Sequence, residues 1–469
     1  MNRYLVSLCA FCVAASSLGV PFVAEESVSV TSHANGSAVK ISYTLTGEPA
    51  VVTIDLQTQQ GGVWKSLGGV GIGELGGEAN KLVKTVGTPV NAYWFPRKTQ
   101  EGAAYAPGAL RAVVQAWPTN FPPDYMVVNI ASPTNIVRFY ASTNMLPGGF
   151  TNRDYRTTKL LMRKIPAAGV VWTMGTPTTE AFRTSDSQNG AMEAQHKVLL
   201  TDDYYAGVFE VTQGQYYNMA GNYGSCSFQD YHDSDILPYQ QVTMAGLRGQ
   251  VKADFSTYWP ANGHNVTASS TLGKFRAKCG IADMDLPTEA QWEYAARAGV
   301  SKNLPNGYMA EGDNFINSDY RQARIDKVAW WYHNASGTYL KKDGTTETKA
   351  YPHPVGLKVP NHWGLYDTIG NVFEACLDHG WDASADQVEW FRETLTPGWE
   401  TGAVTTNPTG IVRANDPAGR VAFRGGNFVE NETQLRLGSR CPQGADYIDP
   451  DQRGYKGFRL VCSVKEAVR

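Results

Sequence analysis

Leu286-Pro287-Thr288-Glu289-Ala290-Gln291-Trp292-Glu293-Tyr294-Ala295-Ala296-Arg297-Ala298-Gly299 carries both ends of one short helix in its own residues. Thr288 caps the first turn, Gln291 stands three positions on where its side chain reaches back, and Gly299 supplies a left-handed stop. Trp292, Ala295, Ala296 and Gly299 recur at the three-and-four spacing of a buried face, and the two alanines let a neighbouring backbone come close. Alone, the helix predicts a packed domain and no chemistry.

Outward from it lie further blocks in a fixed order: Glu210-Val211-Thr212 upstream, then Gly364-Leu365-Tyr366-Asp367, Gly370-Asn371-Val372-Phe373-Glu374, Arg424-Gly425-Gly426-Asn427-Phe428 and Gly457-Phe458-Arg459. Gly169-Val-Val-Trp-Thr-Met-Gly reads as a strand ending in a turn. His196-Lys-Val-Leu-Leu and Tyr204-Tyr-Ala-Gly-Val-Phe-Glu-Val read as strands leading into a helix capped by Thr212 and Gln215. Together these blocks resemble the formylglycine-generating enzyme, or sulfatase-modifying factor, family from Ile165 to Cys462, about two-thirds of the chain. The resemblance implies an α+β, C-type-lectin-like fold, with few helices against twisted sheets and much ordered coil. A fold does not by itself carry an activity.

The chain has 469 residues, 42% of them hydrophobic and 18% charged, the balance of an ordinary globular protein with more than one domain. A formal charge of -3 leaves no basic footprint for nucleic acid and no polybasic membrane patch. The 47 glycines and 24 prolines predict many turns and ordered loops in place of long helices. Arg3, the apolar run from Tyr4 to Ala15 and the small residues before Glu25-Glu26 read as a secretory signal over residues 1–24, too short for a membrane span. No later run is long enough to cross a bilayer, so the expectation is an exported protein, periplasmic or extracellular. Beyond Cys9 and Cys12 in the leader stand Cys226, Cys279, Cys376, Cys441 and Cys462, an odd set without C-x-x-C spacing. That spacing argues against zinc and leaves both disulfides and buried free thiols open.

Residues 25–143 read as all β: Val39-Lys-Ile-Ser-Tyr-Thr-Leu alternates, Val51-Val-Thr-Ile-Asp-Leu is β-branched, and Arg111-Ala-Val-Val-Gln-Ala-Trp and Tyr125-Met-Val-Val-Asn-Ile follow Gly- and Pro-rich turns. The reading is a β-sandwich of immunoglobulin or fibronectin type serving as spacer or binding module. Residues 144–160 form the linker and 161–469 the second domain. Within it, the stretch from Gly249 to Lys278 is expected as a long loop or insertion. Asn303 to Pro354 is expected to be loop-rich, with the aromatic cluster Trp330-Trp331-Tyr332-His333-Asn334 as core in preference to a sugar or peptide groove.

Asp367 and Glu374 bracket a Gly turn, and hard carboxylate oxygens around exposed carbonyls suit calcium. An Asp capping a turn and a Glu paired to an arginine explain the same two residues. The resemblance implies a structural calcium held by Asp367, Gly370, Val372 and Glu374; Phe373 and Ala375 replace the usual tryptophans beside the glutamate. It also implies, for aerobic members, two cysteines that bind copper(I) in the run from Gly425 to Arg440. This run holds Glu430, Asn431, Glu432 and Thr433 and no cysteine, and Cys441 stands just past it. Copper(I) selects sulfur ligands and carboxylates do not replace them, so copper is not expected.

The eight histidines include no i,i+4 helical pair for an iron site, and there is no G-x-S-x-G nucleophile elbow. Arg424, Arg436, Arg440 and Arg459 fit two roles: a basic groove, or internal pairing with acids such as Glu293 and Glu374. The expectation is therefore a ligand-binding or protein-interacting family member without catalytic residues. Its groove would be formed by Trp331, Glu430, Glu432 and Arg440, and its ligand would be protein, peptide or carbohydrate. The rival expectation is a formylglycine-generating-type oxidoreductase acting on protein cysteine through a non-standard site.

Overall fold

The computed structural model describes residues 19–98, 105–133, 136–180, 183, 193–224, 226–249, 266–302, 304–307, 318–379, 402–408, 420–444 and 454–469. Most of the expected leader, with Cys9 and Cys12, lies outside the described residues, as do His264 and the centre of the stretch after Gly249. The chain divides into two compact units. One comprises 1–123, 139–150 and 468, and the other 124–138, 151–467 and 469.

In the first unit, alternation along Ala38–Thr46 sends Val39, Ile41, Tyr43 and Leu45 inward, and the even positions Ala50, Val52, Ile54 and Leu56 of Ala50–Gln60 meet them. The two strands belong to different antiparallel sheets that enclose one core. Ala38–Thr46 pairs with Ser29–His33 and Pro89–Trp94, and Ala50–Gln60 pairs along its length with Leu110–Pro118 and with Lys81–Val83 and Val63–Ser66 on its other edge. Trp94, fully buried, fills the centre.

The second unit is mixed α and β, mostly strand, with few helices. One sheet runs through Tyr125–Asn129, Lys159–Ile165, Tyr204–Gly207 and Val461–Ser463 in antiparallel succession. Tyr125–Asn129 was expected in the N-terminal sandwich and pairs here instead. Its residues read correctly as a strand, but an apolar run with buried Met126, Val127 and Val128 does not name the sheet it joins. A second sheet places Val170–Met174 antiparallel to His196–Leu200. A third joins Phe373–His379, Arg420–Arg424 and Arg440–Gly444, with Lys456–Gly457 parallel to the start of the first.

Part of the expected loop after Gly249 is helical: Thr271–Cys279 is capped by Ser270 and buries Leu272, Phe275 and Cys279 at three- and four-residue spacing. The polar residues around that spacing obscured it. The region from Asn303 to Pro354 likewise contains the helix Ser318–Val328 and a hairpin of Ser336–Leu340 with Thr346–Ala350. No described helix is long and apolar enough to cross a membrane.

Candidate functional site

The helix Glu289–Arg297 is built as its sequence dictates. Gln291 donates its backbone N–H to Thr288 Oγ1 at 3.2 Å, and Gln291 Oε1 accepts from the Thr288 N–H at 2.9 Å. Its C-cap is Ala298 at φ 46°, and the expected Gly299 follows it in the left-handed region at φ 84°. All nine helical residues are buried, the charged ones included, so the expected single buried face understates the enclosure. The Asn361 side-chain amide donates to the Ala295 and Ala296 carbonyls at 2.8 and 3.1 Å and so satisfies acceptors of the helix's last turn.

Buried charge requires partners, and here each is supplied. Glu293 Oε1 accepts from the Gly175 N–H and from Arg297 Nε, both at 2.8 Å, and its other oxygen pairs with Arg424. Burial alone would raise this carboxyl, but Arg297, Arg424 and Arg440 outweigh burial and hold it down to about 2. Arg424, fully buried, also donates to the carbonyls of Leu437, Gly438 and Ser439 at 3.1, 3.1 and 2.7 Å. Arg436 forms a two-pronged pair with Glu193 at 2.5 and 2.6 Å. Arg440 Nε stands 3.0 Å from Glu289. Arg459 forks onto Glu374 at 2.6 and 2.9 Å. The four arginines that could have made a basic groove are thus engaged internally.

These pairs fix the frame of the Gly425-to-Arg440 loop. Gly370 donates to the Gly425 carbonyl at 2.8 Å and Phe428 to the Asn371 carbonyl at 2.9 Å, while Leu435 and Leu437 share a core cluster with Trp292 and Trp331. Gly438 has no room for a side chain, because a Cβ there would lie 1.9 Å from Thr176 Oγ1. The tip, Glu430 to Thr433, is partly exposed, and burial raises the Glu430 carboxyl.

Two of the four expected groove residues are not at a surface. Trp331 is 1% exposed and donates its indole N–H to Asp326 at 2.7 Å, since a large ring in a loop-rich unit is its core. Arg440 is drawn inside by Glu289. Glu430 and Glu432 remain at the tip, beside the exposed ring of Tyr332, whose N–H donates to the Glu430 carbonyl at 3.3 Å.

Among the described residues the five cysteines are unbridged. Burial pushes Cys226 up to about 12 and Cys279 up to about 11, and Cys376 and Cys462 well above the usual thiol range. Such thiols stay protonated and cannot serve as thiolate ligands as they stand. Cys441 lies opposite Phe423 in the strand Arg440–Gly444, outside the loop.

The segment from Asp367 to Glu374 presents a different chemistry. Asp367 sits in the left-handed region, φ 55°, with Oδ2 accepting from the Gly356 N–H at 2.7 Å and buried Oδ1 left without a partner. Glu374, besides its fork with Arg459, accepts from the Trp292 indole at 2.7 Å. Gly370 cannot carry a side chain, because a Cβ would fall 2.4 Å from the Trp330 carbonyl. Glu210, which sequence reasoning quoted only as part of a motif, belongs to this site. Its carboxylate accepts from Asn371 Nδ2 at 2.7 Å and from the Val372 N–H at 3.2 Å.

Burial, with Asp367 and Glu374 adding, raises Glu210 well above the ordinary range, against Arg459. Burial likewise pushes Asp367 up to about 6. Glu210, Asp367 and Glu374 therefore share one buried guanidinium, a surplus of acid. The signal available in sequence was Glu210 at the end of an apolar strand just before a capping threonine. Among the described residues no three His, Cys, Asp or Glu side chains converge as a ready metal cluster, so a cation here would draw on main-chain carbonyls.

A family model described as the sulfatase-modifying factor enzyme 1-like domain matches residues 162–464. The "Chaperone protein LppX" of Paenibacillus barcinonensis is 26% identical over 241 residues, covering 48% of this chain and 78% of that protein. The formylglycine-generating enzyme of Streptomyces coelicolor is 33% identical over 165 residues, 34% of this chain and 47% of that protein. The "Inactive C-alpha-formylglycine-generating enzyme 2" of Bos taurus is 29% identical over 175 residues, covering 36% and 47%. The chain thus spans about half the length of these two.

Proposed function

The chain belongs to the sulfatase-modifying factor family, and we propose that it is an exported, ligand-binding or protein-interacting member that lacks the copper-binding cysteine pair. The observation that carries this reading is the loop from Gly425 to Arg440, which holds carboxylates, amides and hydroxyls and no sulfur. Soft copper(I) has no ligand there. The buried, protonated state of Cys226, Cys279, Cys376 and Cys462 supports it, since none is poised as a thiolate. Relatives named as a chaperone and as an inactive enzyme are in keeping with a binding role on this scaffold. In the same reading, the second unit has the C-type-lectin-like arrangement and the first is an immunoglobulin- or fibronectin-like sandwich. A protein, peptide or carbohydrate ligand meets the rigidly framed tip at Tyr332, Glu430 and Glu432.

Copper(I) titration of the purified protein, with oxygen uptake followed on a cysteine-bearing sulfatase peptide, is expected to give neither a stoichiometric site nor turnover. Stoichiometric copper with turnover would instead establish the formylglycine-generating oxidoreductase.

Calcium is the second element of this reading. Residues Asp367 and Glu374 with the carbonyls of Gly370 and Val372 would hold it, and it would neutralise the acid surplus that Arg459 alone leaves. The unpartnered Asp367 Oδ1 supports the fit. Glu374, though bound to Arg459 and Trp292, keeps one lone pair of Oε1 free for a cation. Calcium at about a hundredfold its dissociation constant is expected to stabilise the protein by about 3 kcal/mol, read as a rise in melting temperature that chelator reverses. The Asp367→Asn variant is expected to lose that response. An unchanged melting temperature under both treatments removes calcium from the account.

A further inference from the structure

We propose that the outer face of the first unit's Ala50–Gln60 sheet is a binding platform for an extended neutral polysaccharide, of the flat β-1,4-linked kind. The inference is independent of the reading of the second unit. Even-numbered residues of the Ala50–Gln60 strand enter the core, so Thr53, Asp55, Gln57 and Gln59 face outward. Register places Arg111, Val113, Gln115 and Trp117 of one neighbouring strand on the same face, and Trp64 and Ser66 of the other. The face is three strands wide, about 10 Å between the outer two. Trp64 lies opposite Gln59 and Trp117 opposite Val51, so the two indoles stand eight residues apart along the central strand, roughly 27 Å.

Between the rings the face carries planar hydrogen-bonding groups already held in place by one another. Ser66 Oγ donates to Asp55 Oδ1 at 2.6 Å, Gln57 Nε2 to Asp55 Oδ2 at 2.9 Å, and Arg111 Nε to Gln57 Oε1 at 3.2 Å. Arg111 lies over the Trp64 ring at 5.2 Å, and Trp117 donates its indole N–H to Thr53 Oγ1 at 2.8 Å. Side chains fixed before binding lose little rotamer freedom on contact. One carboxylate and one guanidinium cancel, which favours an uncharged ligand over a nucleic acid or an acidic glycan. The valences these groups leave free, such as the second Gln57 amide hydrogen and the remaining Asp55 lone pairs, meet sugar hydroxyls, and indole rings accept the C–H face of a pyranose. A protein partner would ask for an exposed apolar centre, whereas Val51 and Thr53 on this face are already covered and the exposed apolar side chain of the central and Leu110–Pro118 strands is Val113.

The test uses the full chain in isothermal titration with cellohexaose, chitohexaose and cellobiose, alongside Trp64→Ala and Gln57→Ala. Both substitutions are at part-exposed sites, and melting curves check that each variant folds. The expected result is binding of a hexaose, at least tenfold weaker for Trp64→Ala and weaker for Gln57→Ala at unchanged melting temperature, with cellobiose at least tenfold weaker than the hexaose. No binding of either hexaose overturns the proposal, as does binding that both variants retain in full. Cellobiose binding as tightly as the hexaose overturns the two-ended platform.

Discussion

Replacing Arg424 with Met is expected to destabilise the second unit by about 3 to 5 kcal/mol, enough to leave much of it unfolded at ordinary temperature. The guanidinium has no exposure, pairs with Glu293 and serves the carbonyls of Leu437, Gly438 and Ser439. Its loss strands three acceptors and takes from the buried Glu293 carboxylate one of its two directly paired arginines, and each deficit costs desolvation that nothing repays. Arg424→Lys keeps the charge but not the fork, and is expected to fall between Met and the parent. Adding Glu293→Gln to Arg424→Met should recover part of the loss by removing the uncompensated charge. Urea denaturation of the four proteins measures this. A loss below about 1 kcal/mol for Arg424→Met would mean that the interior network is not what holds the loop.

The second large effect is one of pH, in chelated protein. Burial, with Lys358 nearby, lowers His353 to about 4, against its hydrogen bond to the Ala335 carbonyl; its ring stacks on Trp330 at 3.8 Å. The unfolded chain takes that proton near pH 6.5 and the folded one only near 4, so the unfolded state binds more protons between them. His353 therefore removes about 3 kcal/mol of stability as pH falls from 6.5 to 4.

Asp367 has the opposite sign. Its folded value of about 6 lies above its ordinary 3.8, so the native state binds more protons between these values and gains about 3 kcal/mol as pH falls through them. The two nearly cancel. His353→Gln, whose amide can still donate to Ala335, should then grow more stable relative to the parent on acidification from pH 6.5 to 4. Asp367→Asn should grow less stable relative to it from pH 6 to 4. Parallel stability curves for the three proteins would remove both assignments.

The short helix was legible to within one residue because capping is local: Thr288, Gln291 and the left-handed end need only each other. The alternating strands of the first unit were legible for the same reason. What escaped reading is set by distant partners. Tyr125–Asn129 reads as a strand either way, and only its pairing with Lys159–Ile165 decides its unit. Arg440 looks like a surface recognition residue until Glu289 is placed beside it, whereas Trp331, for which core was the preferred reading, is fixed in the core through Asp326. Glu210 gains its meaning only from Asn371 and Val372, more than 160 positions away. The internal pairing of the arginines was one of two readings the sequence allowed, and the burial of Glu293 and Glu374 decides it.

Such distant partners also bear on how the protein is made. Arg459 donates to the Gly207 carbonyl 252 positions earlier, Arg436 reaches Glu193 across 243, and Val461–Ser463 completes its sheet by pairing with Tyr204–Gly207. Such carboxylates and carbonyls wait for cations more than two hundred positions further on, so the second unit closes only when both of its distant segments are present together. Late closure leaves the earlier strands waiting in solvent, and it makes the pairing of Val461–Ser463 with Tyr204–Gly207 the latch that ends that state.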